Sequence, residues 1–561
     1  TTGALTTSGS NGSIQVGGVR SYSTEANYIY NGSGSQVSGN GLPLAVNSLG
    51  VAGTSDLTLN NGASKGSPFK ISDDLTVSSG ARMTVNTSQA VTVDGNVVND
   101  GHLDLEADGT GMASLMINGS YSGGGNVRSE IFMTGGEAGA GMYRWHYFAV
   151  PSQQESEDLA LNYGISLMKY DDLEGMTDKA KGWYYYDEGP QFSTLDFGEG
   201  YAFYHDDYEN PVTMEINSES LPSSLGTVSL DYRTYGWNLI GNSLTCGLNW
   251  DSVTFVGQVD HSISFIKDYE EYYYVQGGPG LPAGTTGHIP PLQGFFVQAL
   301  ESGTSIDFSG AKEHNATAYY KGNGSNSEKG TDHSLIRLSF GKGDLKDETV
   351  IWFREEATME YDYRFDAEKW YSEGSRPQIY SVLSGREFAI NCIPLSETIA
   401  EIPLGLWMPE SGSYTINLME MENIGNYDIF MKDLVNNTKT RLDHNYSFTF
   451  SSQAGPVRDR FIIAIENRTT GTDDMKDSEK PFRVYNSFGF INIELLDETW
   501  EGKTGRVSIT DLTGKVITVL NNLEFGKSNI IQISSSGMRG IYFVEIKSMN
   551  IRHIEKILVL E

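Results

Sequence analysis

Apolar and polar residues alternate along much of the chain, and long helical periodicity is absent. Alternation puts successive side chains on opposite faces of a strand. In residues 1–130 the alternating pieces are short and recur at close intervals: Leu57-Thr58-Leu59, Leu75-Thr76-Val77, Met83-Thr84-Val85, Val91-Thr92-Val93, Leu103-Asp104-Leu105 and Leu115-Met116-Ile117. Turn signals such as Asn61-Gly62 and Asp94-Gly95 lie between them. Short rungs joined by turns predict a β-solenoid or β-helix-like repeat, in which each rung buries its neighbour's apolar edge. An antiparallel sandwich with hairpins at the same turns is the alternative.

Further along, the strands lengthen. Residues 131–311 form a β-rich region with Trp and Phe anchors in 144–151, 236–242, 249–251 and 289–297. Residues 312–466 carry clean strands whose spacing predicts a β-sandwich, jelly-roll or immunoglobulin-like. Residues 467–480 are polar and charged, the composition of a linker. Residues 481–561 predict a small immunoglobulin-like module with strands near 505–511, 540–546 and 556–560, and a turn at Leu512-Thr513-Gly514. The whole is all-β.

Composition narrows the partners. The 561 residues hold 39 Lys and Arg against 72 Asp and Glu, a net charge of −33. That excludes nucleic acid as an expected partner, because phosphate is neutralised by cationic side chains. It suits a soluble exterior protein. No run of about 18 apolar residues occurs, so no transmembrane segment is expected. The chain starts at Thr1 and shows no basic-then-apolar leader. A leader already removed, or a longer N-terminal part, would explain that start. Cys246 and Cys392 fall in different predicted domains, so two buried thiols are a plainer expectation than a disulfide.

The last module resembles the type A C-terminal sorting domain of the type IX secretion system of Bacteroidota. The matching positions are Val507, Ile509, Asp511, Gly514, Lys515 and Val516, then Gly540, Tyr542 and Val544, then Lys556 and Leu558. Glu561 departs from the basic or polar residue on which members often finish. The resemblance implies export through the periplasm to the cell surface or medium. It also implies recognition of 481–561 by the type IX translocon and its outer-membrane shuttle protein. Gly505, Asp511, Gly514, Lys515, Gly540, Tyr542 and Lys556 are expected to define the module. A processing protease would find 467–480 accessible; a module still in place suggests an unprocessed or translocon-bound form, or a protein that keeps it. Upstream, Tyr30-Asn31-Gly32-Ser33, Gln36-Val37 and Gly41-Leu42-Pro43 resemble adhesin-like repeat regions of surface proteins in that phylum. Residues 131–311 resemble a β-domain of its large exported proteins, and 312–466 resemble the sandwich that often precedes the sorting domain.

No catalytic motif emerges. Gly62-Ala63-Ser64-Lys65-Gly66 fits a nucleophile-elbow pattern but lacks the strand-to-helix context that chemistry needs. Gly278-Pro279-Gly280 lacks the helix a dinucleotide loop requires. His146 reads as a structural residue within a Trp-His-Tyr strand. The carboxylates Asp171-Asp172, Glu174, Asp206-Asp207 and Glu270-Glu271 could serve glycoside chemistry only if two faced one cleft; on an acidic surface they read as solvated. No cofactor is expected; calcium in acidic loops stays open and the metal ligands unassigned. The aromatic clusters at 183–186 and 272–274 offer Trp183, Tyr185 and Tyr273 as ligand contacts, although alternation sends about half of each cluster inward. The expectation is therefore a non-enzymatic structural or adhesin-like surface protein. The alternatives are a secreted polysaccharide-binding or polysaccharide-degrading protein, and a self-associating subunit of an extracellular filament.

Overall fold

The computed structural model describes residues 4–8, 14, 18–134, 145–187, 192–205, 211–267, 270–314, 333–371, 376–394, 400–425, 427–443, 446–467, 480–487, 489–526, 530–548 and 551–559. Most of the predicted linker, 468–479, and Glu561 lie outside them. The chain divides into two compact units, Thr1–Asn467 and Arg468–Glu561.

The first unit opens with a parallel β-solenoid. Each turn contributes one strand to each of three sheets. The first sheet stacks Asn27–Tyr30, Ser48–Val51, Leu75–Val77, Val97–Asn99 and Tyr121–Ser122. The second stacks Ser33–Val37, Thr54–Thr58, Arg82–Val85, His102–Leu105 and Asn126–Met133. The third stacks Ala45–Val46, Phe69–Ile71, Ala90–Val93 and Ser114–Ile117. Inward residues line up in register as Leu49–Leu75–Val97, Leu57–Met83–Leu103–Val127, Phe69–Val91–Leu115 and Ile71–Val93–Ile117. All are buried in one core, each worth about 1.5–3 kcal/mol relative to exposure.

The turn residues that could have made hairpins make corners instead. A Cβ on Gly119 would lie 2.2 Å from the Gly95 carbonyl oxygen, and one on Gly95 would lie 2.4 Å from that of Asp73. Gly125 and Gly101 stand in the same relation, at 2.5 Å. Backbone stacks on backbone there, and only glycine fits. Polar corner side chains repeat with the rungs: Asn96 donates from N to Asp74 Oδ1 at 2.7 Å, and Ser120 from Oγ to Asn96 Oδ1 at 2.7 Å.

A sheet end needs a partner for its open backbone groups. Asn126–Met133 finds one in Val212–Ser218, which pairs with it antiparallel. In the third sheet, Leu115 N donates to Thr245 O and Thr245 Oγ1 donates to Leu115 O, both at 2.8 Å.

Beyond the solenoid lie a four-stranded sheet (His146–Phe148, Tyr201–His205, Ile165–Tyr170, Trp183–Tyr185) and a five-stranded sheet (Trp237–Gly241, Gly294–Gln298, Ser262–Lys267, Glu270–Val275, Gly280–Leu281). Trp237, Trp250, Phe295, Phe296 and Phe308 form the core around the latter. Ser156–Tyr163 is the α-helix among the described residues. His146 is buried, its Nε2 2.9 Å from Thr134 O and its ring stacked on Phe203. Asn242 is fully buried and holds the 242–246 loop that follows the Trp237–Gly241 strand. It donates to Cys246 O at 2.9 Å and Pro290 O at 2.7 Å, and it accepts from Leu244 N.

Eleven strands between Ser334–Lys342 and Gly455–Asn467 form one long sheet. It curls over on itself. Phe450, on the strand at one end of the order, packs against Phe461, on the third strand from the other end, with centroids 5.0 Å apart. One face is thereby closed as a sandwich core. A second core joins Tyr273, Val275 and Leu281 to Leu335, Val350, Trp352 and Cys392, so the region before 311 and the sandwich share buried surface. Cys246 and Cys392 are both buried and unpaired.

The second unit folds as two sheets: Phe482–Ser487, Phe490–Leu495 and Ile531–Ser534; and Val516–Glu524, Thr504–Asp511, Gly540–Ser548 and Ile551–Val559. Phe482, Trp500, Val507, Phe525, Val544 and Ile557 lie in its core.

The corner geometry separates two neighbouring glycines. Gly124 has open space where a Cβ would sit, whereas Gly125 does not. Gly125→Ala is expected to cost about 2 kcal/mol or more, and Gly124→Ala about 0.5 kcal/mol or less, read from denaturant melts of the two variants.

Candidate functional site

The second unit is organised around one turn. Asp511 Oδ1 accepts from Thr513 Oγ1 at 2.6 Å, Thr513 N at 2.9 Å and Lys515 N at 3.0 Å. The Asp511 backbone pairs with Lys515 O and Gly514 N, each at 3.0 Å. Gly514 has φ +83°, a conformation that favours glycine. The Thr513 hydroxyl, helped by the two backbone N–H groups, holds the Asp511 carboxyl below the usual carboxylate range. Tyr542 sits opposite Asp511 across the strand pair, and its hydroxyl accepts from Arg539 N at 3.1 Å. Gly540 opens the same strand with φ +111°.

Gly505 lies at the far end of the Thr504–Asp511 strand. A Cβ there would meet the Lys547 carbonyl oxygen at 2.4 Å and the Phe525 ring at 2.5 Å. Lys556 is exposed on the edge strand, paired with Phe543. Five of the seven expected module residues thus gather near one end of the sheet, with Lys556 beside them on the next strand, while Gly505 stands apart. Two of the matching positions, Val516 and Leu558 (54% exposed), carry exposed apolar side chains, as does Leu512 at the turn tip. Val519 and Ile554 are exposed too and were not singled out from the sequence. Their signal is the Ile554, Ile557, Leu558 spacing, which breaks alternation and leaves apolar residues on both faces.

Residues 487–560 match the family described as a secretion system C-terminal sorting domain. The chain is cargo of the type IX secretion system. Its destination is the cell surface or the extracellular space, and its sorting domain engages the type IX machinery. Among the described residues, no helix is long and apolar enough to cross a membrane. Residues 249–465 match a family described as a domain of unknown function, DUF8693. That match runs across the shared core joining the middle region to the sandwich. No curated protein matches the chain. Among solved structures, one titled "Biofilm associated protein - BSP domain" aligns at 10% identity and a TM-score of 0.12, over 77% of this chain. The chain spans 63% of that structure's length, and a TM-score so low carries no argument.

Among the described residues, the cargo's own surface also offers a place for a ligand. A cleft of about 820 Å³ is lined by the 177–179 and 232–237 segments, by Gln258 and Gln298, and by Tyr361, Tyr363, Glu368 and Arg386. The aromatic clusters expected to contact ligand lie elsewhere. Tyr273 is 2% exposed; its hydroxyl donates to Trp370 O and accepts from Trp370 N. Trp183 is half-buried against Tyr147, Tyr170 and Phe296. Tyr185 is half-buried in the same strand. Packing of the first unit seals Tyr273 and covers part of Trp183 and Tyr185, whereas Tyr232, Tyr235, Tyr361 and Tyr363 line the cleft. Isolated tyrosines in loops gave no signal in the sequence.

The carboxylates expected at the surface are largely drawn into the fold. Asp172 accepts from the backbone N–H of Arg233, Thr234, Tyr235 and Gly236, each at 2.8 Å. Burial alone would raise its pKa, but the four donors outweigh it and hold it low. Asp171 accepts from the Tyr184 hydroxyl. Burial raises Glu270 to about 7. Asp206 and Asp207 lie outside the described residues. Among the described residues, no three His, Cys, Asp or Glu side chains converge as a metal site. Ser64 lies in a tight turn closed by a reciprocal backbone pair with Ser67, and no helix follows it.

Two predictions follow from these geometries. A chain truncated before Pro481 is expected to be lost from surface and medium and to accumulate in the periplasm, read by fractionation and immunoblot. Gly505→Leu, which drives a side chain into Phe525, is expected to reduce export in the same assay. The second concerns pH. Burial raises Asp260 to about 7 and Asp366 to about 8. Both bind protons more tightly folded than unfolded, so their contribution is full below about pH 4 and is lost as pH rises through 7–8. Asp260→Asn, which keeps a partner for the Tyr361 hydroxyl, is expected to flatten the fall in melting temperature between about pH 5 and pH 8.

Proposed function

We propose that the exported chain is a structural, adhesive protein of the cell surface, with no catalytic step and no cofactor of its own. The carrying observation is the use made of its carboxylates. Asp172 caps four backbone N–H groups, Asp171 takes the Tyr184 hydroxyl, and Glu270 is half-buried 3.5 Å from Arg376. Glycoside hydrolysis needs two carboxyl groups free to face one sugar, and these are committed to holding loops and strands. The solenoid supports the same reading: stacked rungs with a continuous core make a stiff element that separates a contact surface from its attachment. In this reading the shuttle protein meets residues 481–561 during export, and the solenoid and middle regions meet the target.

The test compares a strain lacking this chain with its complemented parent. Attachment of cells to glass and to host extracellular matrix is expected to fall several-fold and to be restored by complementation. Purified full-length protein is expected to release no reducing ends from a panel of plant and microbial polysaccharides. Steady release, abolished by a single carboxylate substitution and accompanied by normal attachment, would overturn the proposal in favour of an enzyme.

A further inference from the structure

We infer that the cleft around Tyr232 and Tyr361 is a binding site for a neutral oligosaccharide. This deepens the adhesive reading by naming a ligand class, and rests on it. The cleft, about 820 Å³, falls in the range of small-ligand sites.

Its aromatic rings are held before any ligand arrives. The 232–237 loop carries Tyr232, 43% exposed, and Tyr235; it is pinned by the four N–H groups donated to the Asp172 carboxylate. Across the cleft, the Tyr361 hydroxyl donates to Asp260 Oδ2 at 2.5 Å, and the Arg386 guanidinium lies 4.1 Å from the centre of its ring. Fixed rings lower the entropy lost on binding. The exposed Tyr232 ring can take the C–H face of a sugar, while the exposed Gln258 amide can meet its hydroxyls. Gln298 braces the loop from beneath, its Nε2 donating to Tyr235 O at 2.8 Å.

Charge selects the class. The cleft's cations are already engaged. Arg386 pairs with Glu368 at 3.2 Å, and Lys179 Nζ lies 4.2 Å from the centre of the Trp370 ring and donates to Lys369 O. Asp178 adds a further carboxylate to the lining. Among the described residues of the lining, no cation is left over for a phosphate, sulfate or uronate, and the net charge of −33 repels such polymers at longer range.

The test is affinity electrophoresis of the full-length chain in gels containing yeast mannan, soluble starch, xyloglucan or mixed-linkage β-glucan, with polygalacturonate and heparin as anionic probes. Retardation by at least one neutral polysaccharide is expected. It should weaken about tenfold or more in Tyr232→Ala and in Gln258→Ala. Both residues are exposed, so the melting temperatures should stay near that of the parent. Retardation by none of the neutral polymers, retardation only by the anionic ones, or retardation unchanged in both variants would overturn the site. The two readings fail separately. Attachment that persists in Tyr232→Ala, with no glycan bound by the parent chain, removes this site and leaves adhesion standing. Glycan binding at the cleft, with attachment unaffected by loss of the whole protein, confirms the site and removes adhesion.

Discussion

A stack of parallel rungs cannot end in water without leaving a row of backbone donors and acceptors open. Asn126–Met133 meets that constraint. It lies parallel to His102–Leu105 on one side and antiparallel to Val212–Ser218 on the other. The solenoid's second sheet thus passes into the middle region without an open edge. Side chains follow the backbone. Ile131 and Met133 join a core with Phe148, Phe203, Met214 and Ile216, while Val127 on the same strand completes the solenoid interior. The placement of Thr245, and with it the Asn242 loop, follows from the same need at the third sheet.

The next seam, between the middle region and the sandwich, is held differently. Arg337 on a sandwich strand donates to Gly280 O at 2.9 Å and pairs with Glu348 and Glu420; Glu348 in turn accepts from Ala283 N. Lys369 and Asp347 are buried at 2.6 Å. Buried ion pairs carry a desolvation cost that their attraction only partly offsets. Their firmer contribution here is geometric, because an Arg337 out of register would leave several charges uncompensated. Tyr273, Val275 and Leu281 supply the apolar half of the seam. One family match spanning 249–465 is what such a seam leads one to expect, since the two sides share a core besides the one each closes for itself.

Much of this was legible in the chain. The inward triplets from Leu57 to Ile117 gave the rungs, and Asp511-Leu512-Thr513-Gly514 gave the turn of the sorting domain. The corners were ambiguous because Asp94-Gly95 suits a hairpin as well as a stacked turn. What decides is the rung beneath, whose carbonyl at Asp73 leaves no room for a Cβ. The aromatic clusters misled for a related reason. Alternation assigns a ring to a face but does not say what covers that face; Tyr273 is covered, and Trp183 partly so, by segments remote in sequence. The cleft draws on residues from Thr177 to Arg386, each unremarkable in its own window. Asp260 and Asp366 likewise look like surface acids until the sandwich closes over them.

The sorting domain shows the opposite balance. Its core is complete within its own residues, from Phe482 to Val559, so it can present one surface whatever cargo precedes it. On the outer face of its edge strand, Arg552, Ile554, Lys556 and Leu558 alternate charge with exposed apolar bulk. Purely apolar residues there would invite strand pairing between copies; the interspersed cations oppose it. Ile554 and Leu558 still leave a surface that a partner can dry. The strand's departure from simple alternation is the trace of that compromise in the sequence.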